Sequence, residues 1–317
     1  MIRLAIVSPC YNEEEALPSS AQQLTKMLID LIDKRKISPD SYIMFVNDGS
    51  ADKTWDVIKE LNLTNSYVCG LNLVFNVGSE AALFAGMMNV KDECDVAITI
   101  DADLQDDLNA VEEMIDKYYN EHLDVVYGVK TSRKADSFFK RHTAQTFYKM
   151  QRYMGAKIIY NHTNFRLMSK NALDGLAQFS ERSLYLRGLV PMLGLPSGQV
   201  EEVIKERVAG QSKYNISALM RVAVDGITSL TIRPMYFILG IGAMGVVMSF
   251  LMFIYSMISY FAHWAVRGWT SIVISIWFLG SMILFSLGVI GIYVGKTYLE
   301  VKGRPRYYVA EKLTKKS

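Results

Sequence analysis

The 317 residues predict an α/β fold, a mostly parallel sheet with helices on both faces, followed by a C-terminal two-helix transmembrane hairpin. Two observations carry this reading. Short apolar runs alternate with segments of helical spacing as far as residue 127, the pattern of strands joined by crossover helices. Beyond Pro234, residues 235–262 and 268–295 form two runs of 28 residues without a charge. About 20 predominantly apolar residues suffice to cross a hydrocarbon core.

Residues 4–8 read as the first strand, and residues 14–34 follow with Leu17, Leu24, Leu28, Leu31 and Ile32 at helical spacing. Residues 42–46 form a second strand and 54–61 a helix. Residues 68–73 form a third strand and 79–89 a helix. Residues 96–100 form a fourth strand and 108–121 a helix, and 125–127 are a fifth strand. Several of these runs are apolar without alternation, which suits strands covered on both faces.

The first four strands end in polar residues. Ser8-Pro9-Cys10-Tyr11-Asn12-Glu13-Glu14 follows the first, Asn47-Asp48-Gly49-Ser50 the second, Asn76-Val77-Gly78-Ser79 the third and Asp101-Ala102-Asp103-Leu104-Gln105 the fourth. Any one of these suits an ordinary turn, and Asn12 and Ser50 would also serve as helix N-caps. Four on one rim point to a shared ligand site, because open sheets of this kind bind ligands beyond the carboxyl ends of their strands. Asp101 and Asp103 are two apart, so a strand presents them to one side. Two carboxylates that close repel, and a divalent cation such as Mg2+ or Mn2+ relieves the repulsion with hard oxygen ligands. An Asp-x-Asp run alone is more often a solvated loop end.

After the fifth strand, Lys130, Arg133, Lys134, Lys140 and Arg141 interleave with Phe138, Phe139, Phe147 and Tyr148. Residues 138–154 read as an amphipathic helix lying in the headgroup layer and offering cations to a phosphate. Residues 216–232 are a second interface helix, with Leu219, Met220, Ala223, Ile227 and Leu230 on its apolar side. The two runs join through residues 263–267, with Trp264 and Trp269 where interfacial aromatics belong. Arg221 and Arg233 precede them, and residues 297–317 form a basic tail. The positive-inside rule therefore places both termini and the main domain in the cytoplasm of a multi-pass inner-membrane protein. The expected divisions are a domain over 1–215, the interface helix 216–232, spans over 233–262 and 268–296, and the tail. Cys10, Cys69 and Cys94 have no metal-ligand spacing and suit buried thiols in a reducing compartment. The chain starts directly on a strand, so no leader is expected. A net charge of +2 carries no nucleic-acid signature.

Together with Asn164-Phe165-Arg166-Leu167-Met168, Arg187-Gly188 and Gly210-Gln211-Ser212-Lys213-Tyr214, these motifs resemble the family-2 glycosyltransferases of the GT-A, Rossmann-like fold. Within them the chain is similar to the polyprenyl-phosphate glycosyltransferases, which include dolichyl-phosphate mannose synthases and bactoprenol glucosyltransferases. The resemblance implies that Pro9, Tyr11, Asn12, Glu13 and Asp48 hold the nucleoside of a nucleoside-diphosphate sugar. Asn76, Gly78, Asp101, Asn164, Arg166, Arg207, Ser212 and Lys213 complete the donor site. Asp101, Asp103 and Gln105 would take Mg2+ or Mn2+. Lys130, Arg133, Lys140 and Arg141 would join the two aspartates in catalysis by holding the acceptor phosphate. Lys130 and Lys140 stand where relatives carry Arg, which keeps the charge and loses the bidentate fork. Asn164 stands where many relatives have Asp, Gln211 where Glu is frequent and Phe75 where Arg is common.

The implied activity is that of an inverting membrane hexosyltransferase. It would move a sugar from a nucleotide donor, with uridine favoured, to polyprenyl (undecaprenyl) phosphate, for cell-envelope glycan modification. Its partners are the donor, the lipid phosphate and the bilayer, and the resemblance allows a homo-tetramer. A processive polysaccharide synthase would carry more spans and a Gln-x-x-Arg-Trp motif, which this sequence lacks. A membrane-bound nucleotidyltransferase would release pyrophosphate, and a non-catalytic scaffold would bind the donor without turnover.

Overall fold

The computed structural model describes residues 1–130, 162–182, 184–202, 233–261 and 269–315. In chain order the elements are β1 (Leu4–Cys10), α1 (Leu17–Asp33), β2 (Tyr42–Asn47), α2 (Thr54–Thr64), β3 (Val68–Leu73), α3 (Ser79–Val90), β4 (Val96–Thr99) and α4 (Ala110–Glu121). There follow β5 (Val125–Lys130), β6 (His162–Ser169), α5 (Lys170–Ala177), α6 (Leu186–Met192), β7 (Ser197–Glu202), α7 (Arg233–Phe261), α8 (Trp269–Val301) and β8 (Val309–Leu313). The strands form one sheet in the order β7-β5-β6-β4-β1-β2-β3-β8.

The parallel core is β3-β2-β1-β4, in which Val7 pairs with both Met44 and Thr99. Alternate residues of β1 feed two cores. Leu4 and Ile6 pack with Leu24 and Leu28 of α1, Ile58 of α2 and Val111 of α4. Ala5 and Val7 pack with Leu83 and Met87 of α3 and with Leu173 and Leu189 of α5 and α6. Every residue of β2 is buried, as a central strand covered on both sides requires. Gly86 lets α3 lie close on the sheet, since a Cβ there would fall 2.4 Å from Val7 Cγ1 and 2.7 Å from Val46 Cγ2.

The mostly parallel sheet with helices on both faces is as the sequence predicts, and three strands extend it. β6 inserts antiparallel between β4 and β5, and β7 adds parallel to β5. β8, drawn from the basic tail, pairs antiparallel with β3 and covers an edge that would otherwise offer unpaired backbone groups. Its polar residues face the domain. Trp55 Nε1 donates to Glu311 at 3.1 Å, Lys312 Nζ pairs with Glu93 at 2.8 Å, and Asn62 Nδ2 donates to the Thr314 carbonyl at 3.2 Å. Just before β8, Arg306 donates to the Phe179 carbonyl and stacks over the Phe84 ring at 4.5 Å.

Among the described residues one helix is long and apolar enough to cross a membrane, the Phe278–Val301 portion of α8, and its most apolar stretch is wholly unburied. α7 carries a shorter apolar stretch, Met235–Gly245. The connector 263–267 and the segments 138–154 and 216–232 lie outside the described residues.

Replacing Gly86 with Ala pushes a methyl group into the α3–sheet contact. The expected loss is about 1–3 kcal/mol of stability, read as a lower denaturation midpoint of the purified chain. An unchanged midpoint would show that α3 can lift without cost.

Candidate active site at the carboxyl rim of the sheet

The loops that leave β1, β2 and β3 are tied to one another. Asp48 N–H donates to the Cys10 carbonyl at 2.9 Å, extending the β1–β2 ladder by one bond. The Asp48 carboxylate is buried and accepts twice, from Val77 N–H on Oδ1 at 2.7 Å and from Gly78 N–H on Oδ2 at 3.0 Å. Asn76 Nδ2 donates to the Asp48 carbonyl at 3.2 Å. Gly49 has φ +62°, and a Cβ there would sit 2.5 Å from the Phe75 and Asn76 backbone, so the two loops meet only because this residue is glycine. Burial raises the Asp48 pKa above the usual carboxylate value, while the two amide hydrogen bonds pull it down.

Asn12 and Ser50 cap no helix here, because α1 and α2 begin after Ala16 and Lys53. Asn12 N–H donates to Ser50 Oγ at 3.0 Å, and Asn12 Oδ1 accepts from Ala51 N–H at 2.9 Å. Glu13 N–H donates to Thr54 Oγ1 at 2.9 Å. Asn12 has φ +53°, a conformation that short polar side chains tolerate, and it turns the chain across the rim. Tyr11 is left exposed above it. Burial pushes the Cys10 thiol well above its usual pKa, and the Glu13 charge adds to the shift, so this cysteine is no thiolate nucleophile.

At the end of β4 the chain turns sharply. Leu104 has φ +48°, and its N–H donates to the Asp101 carbonyl at 3.1 Å. Asp103 Oδ1 accepts from Gln105 N–H at 3.4 Å, and the buried Asp106 holds the Asp101 N–H at 3.3 Å through Oδ2. Ser20 Oγ of α1 donates to the Ala102 carbonyl at 2.6 Å. Asp101 is exposed and Asp103 half-buried. Their carboxylates and the Gln105 amide offer only oxygens, the ligand chemistry that Mg2+ and Mn2+ favour. Among the described residues no three His, Cys, Asp or Glu side chains gather into a closed metal site. A cation here would keep positions open for ligand oxygens and water.

β6 brings a second charged group to the same level. Thr99 pairs with Arg166 at the end of the β4–β6 ladder, and Thr99 Oγ1 donates to the Asn164 carbonyl. Arg166 is fully buried, its Nη2 donating to Asn164 Oδ1 at 3.0 Å and its Nη1 to the Leu186 carbonyl at 3.1 Å. Burial lowers its pKa, and the nearby charge of Glu80 opposes that shift. Arg187 Nε also donates to Asn164 Oδ1, at 3.3 Å.

Residues 5–176, more than half of the chain, match the profile of glycosyl transferase family 2. The chain belongs to that family. It is 44% identical over 96% of its length to the uncharacterized glycosyltransferase YkoT of Bacillus subtilis, covering 90% of that protein. It is 35% identical over 97% of its length to the SfII prophage-derived bactoprenol glucosyl transferase of Shigella flexneri, covering 97% of that protein. Among solved structures it is similar to glucosyl-3-phosphoglycerate synthase from Mycobacterium tuberculosis, with 14% identity, a TM-score of 0.49, and 72% and 79% of the two chains covered.

In this family-2 glycosyltransferase the described rim holds Pro9, Tyr11, Asn12, Glu13, Asp48, Asn76, Gly78, Asp101, Asp103, Gln105 and Asn164 at strand ends or in the loops that follow. Lys130 ends β5 on that rim. Arg166 sits beneath the surface and holds Asn164. Arg133, Lys140, Arg141, Arg207, Ser212 and Lys213 lie outside the described residues. Sequence reasoning passed over Glu80 and Asp106. An acidic residue in a first helical turn, or beside another in a loop, has an ordinary reading as a dipole partner or a solvated charge. The only hint is their closeness to residues already singled out.

For Asp48 the raised native pKa means that the folded state binds its proton more tightly than the unfolded chain. Ionised Asp48 therefore costs stability above the ordinary aspartate pKa of about 4, and that cost is relieved as pH falls through the raised value. The melting temperature of the wild-type chain should accordingly gain on that of Asp48→Asn between neutral and mildly acidic pH. A difference independent of pH would contradict the assignment.

Proposed function

We propose that this family-2 glycosyltransferase transfers a hexose from a nucleoside-diphosphate sugar, with uridine as the base, to polyprenyl phosphate at the cytoplasmic face of the membrane. The observation that carries the reading is the joining of a rim of carboxylates and backbone turns to a helix long and apolar enough to cross a membrane, in one chain. An acceptor with an apolar tail and a phosphate at the bilayer surface meets such a rim in two dimensions. The relatives named as bactoprenol glucosyl transferases support the same acceptor class.

Asp48 and the loop it holds would form the nucleoside end of the donor site, with Tyr11 across the opening. Asp101, Asp103 and Gln105 would hold Mg2+ or Mn2+, which supplies Lewis-acid neutralisation of the charge that develops on the leaving diphosphate. Lys130, Arg133, Lys140 and Arg141 would place the acceptor phosphate for in-line attack, so that much of the rate arises from positioning. A phosphate monoester has a second pKa near ~6 and is largely dianionic at neutral pH. No side chain need remove a proton from it, and an amide at Asn164 is compatible with that. Direct displacement inverts the anomeric centre. In this reading residues 233–262 and 268–296 both span the bilayer and leave both termini in the cytoplasm.

The purified chain with polyprenyl phosphate, a divalent cation and a panel of radiolabelled sugar nucleotides should yield a lipid-linked hexose and a nucleoside diphosphate. Chelation should abolish the product and added Mg2+ or Mn2+ restore it. Asp103→Ala should lower transfer roughly 100-fold or more, about 2.7 kcal/mol of transition-state stabilisation. Silence with every donor would reject the reading, and release of pyrophosphate would assign the site to nucleotidyl transfer.

A further inference from the structure

Glu80 lies in the first turn of α3, two residues after the Gly78 amide that Asp48 holds. Its two carboxylate oxygens go to two different elements. Oε1 accepts from Asn164 Nδ2 at 3.4 Å, at the start of β6, and Oε2 accepts from Leu186 N–H at 2.8 Å, at the start of α6. Asn164 Oδ1 in turn accepts from Arg166 Nη2 at 3.0 Å and Arg187 Nε at 3.3 Å. A guanidinium only donates and an ionised carboxylate only accepts. Asn164 therefore has one satisfactory orientation, carbonyl to the arginines and amine to Glu80.

We infer that Glu80 is a positioning residue for glycosyl transfer: through the polarity of its bond to Asn164 it fixes that amide and the Arg187 guanidinium bound to it at the start of β6. This rests on the reading of the rim as the donor site. Glu80 links two parts of the rim, since the turn that carries it begins at the loop bound to Asp48 while its carboxylate holds Asn164 of β6. Asn164→Asp would set a second carboxylate against Glu80 across the same 3.4 Å contact. Glu80→Gln would aim an amine at an amine or give up the bond to Leu186 N–H. Each single change breaks the donor–acceptor match.

The two changes together restore it with the polarity reversed. A glutamine introduced at 80 accepts from Leu186 N–H through its carbonyl and donates through its amine to the aspartate introduced at 164, which still accepts from both arginines. The net charge of the pair is unchanged. Wild type, Glu80→Gln, Asn164→Asp and the double variant are compared for kcat, donor KM and melting temperature. Each single variant should lose on the order of 10–100-fold in kcat with little change in donor KM, the scale of a misplaced catalytic constellation. The double variant should recover most of that loss.

The inference is overturned if either single variant keeps the wild-type kcat, if the double variant is no better than the worse single, or if kcat simply follows melting temperature across the set. Should both single variants fail to fold, a double variant that folds without transferring also overturns it, and one that folds and transfers supports it. A wild-type chain inactive with every donor removes the transferase reading and this inference with it. Transfer by the wild type with no coupling between 80 and 164 removes the inference alone.

Discussion

The rest of the molecule depends on the burial of its central strands on both faces. β2 has no exposed residue, and β1 shares its side chains between two cores. Such strands leave no room for polar chemistry along their length. It is confined to their ends, and at the carboxyl ends the chain must turn out of the sheet into a helix. Those turns are where Asn12, Gly49 and Leu104 take positive φ and where the carboxylates gather. The site is thus a consequence of the core.

What turns a row of turns into a site is that they hold one another. Asp48 binds two amides of the loop after β3, Asn12 and Ser50 bridge the loops after β1 and β2, and Ser20 and Asp106 brace the turn after β4. Backbone groups near the end of a parallel ladder lack ladder partners, and these side chains supply them. The buried Arg166 continues the frame into β6 and α6. A guanidinium taken from water is costly unless its donors are met, and meeting them fixes Asn164 in the wall of the site.

The long apolar helix α8 joins the same frame at its C-terminal end. Glu300, in the last turn of α8, accepts both contacts of the Arg182 N–H at 2.8 Å, and the chain then runs on to β8. On the way Tyr308 packs its ring 6.3 Å from that of Phe75, and its carbonyl accepts from Val74 N–H at 3.0 Å. Both residues belong to the loop that Gly49 and Asp48 secure. The segment that follows α8 therefore lies against the loop after β3, and the basic tail serves the sheet as well as contributing charge.

Local pattern determined much of this. Apolar runs and helical spacing locate β1 to β4 and the helices between them, because a buried strand must be apolar along its length and a surface helix along one face. Turn residues at the strand ends mark the rim, and charge exclusion marks the apolar helices. Tertiary structure decided the rest. β8 carries Glu311 and Lys312, which read as solvated charges until Trp55 and Glu93 are seen to meet them, and β6 is a strand by virtue of the gap between β4 and β5. That Arg166 is buried and holds Asn164 is not legible in the sequence, and Glu80 reads as a helix-terminal charge and proves to join three elements. Periodicity and turn chemistry are properties of neighbours in the chain, so the sequence displays them. Edge pairing and the hydrogen bonds of a buried ion join residues far apart in sequence, and only the closed fold brings them within reach.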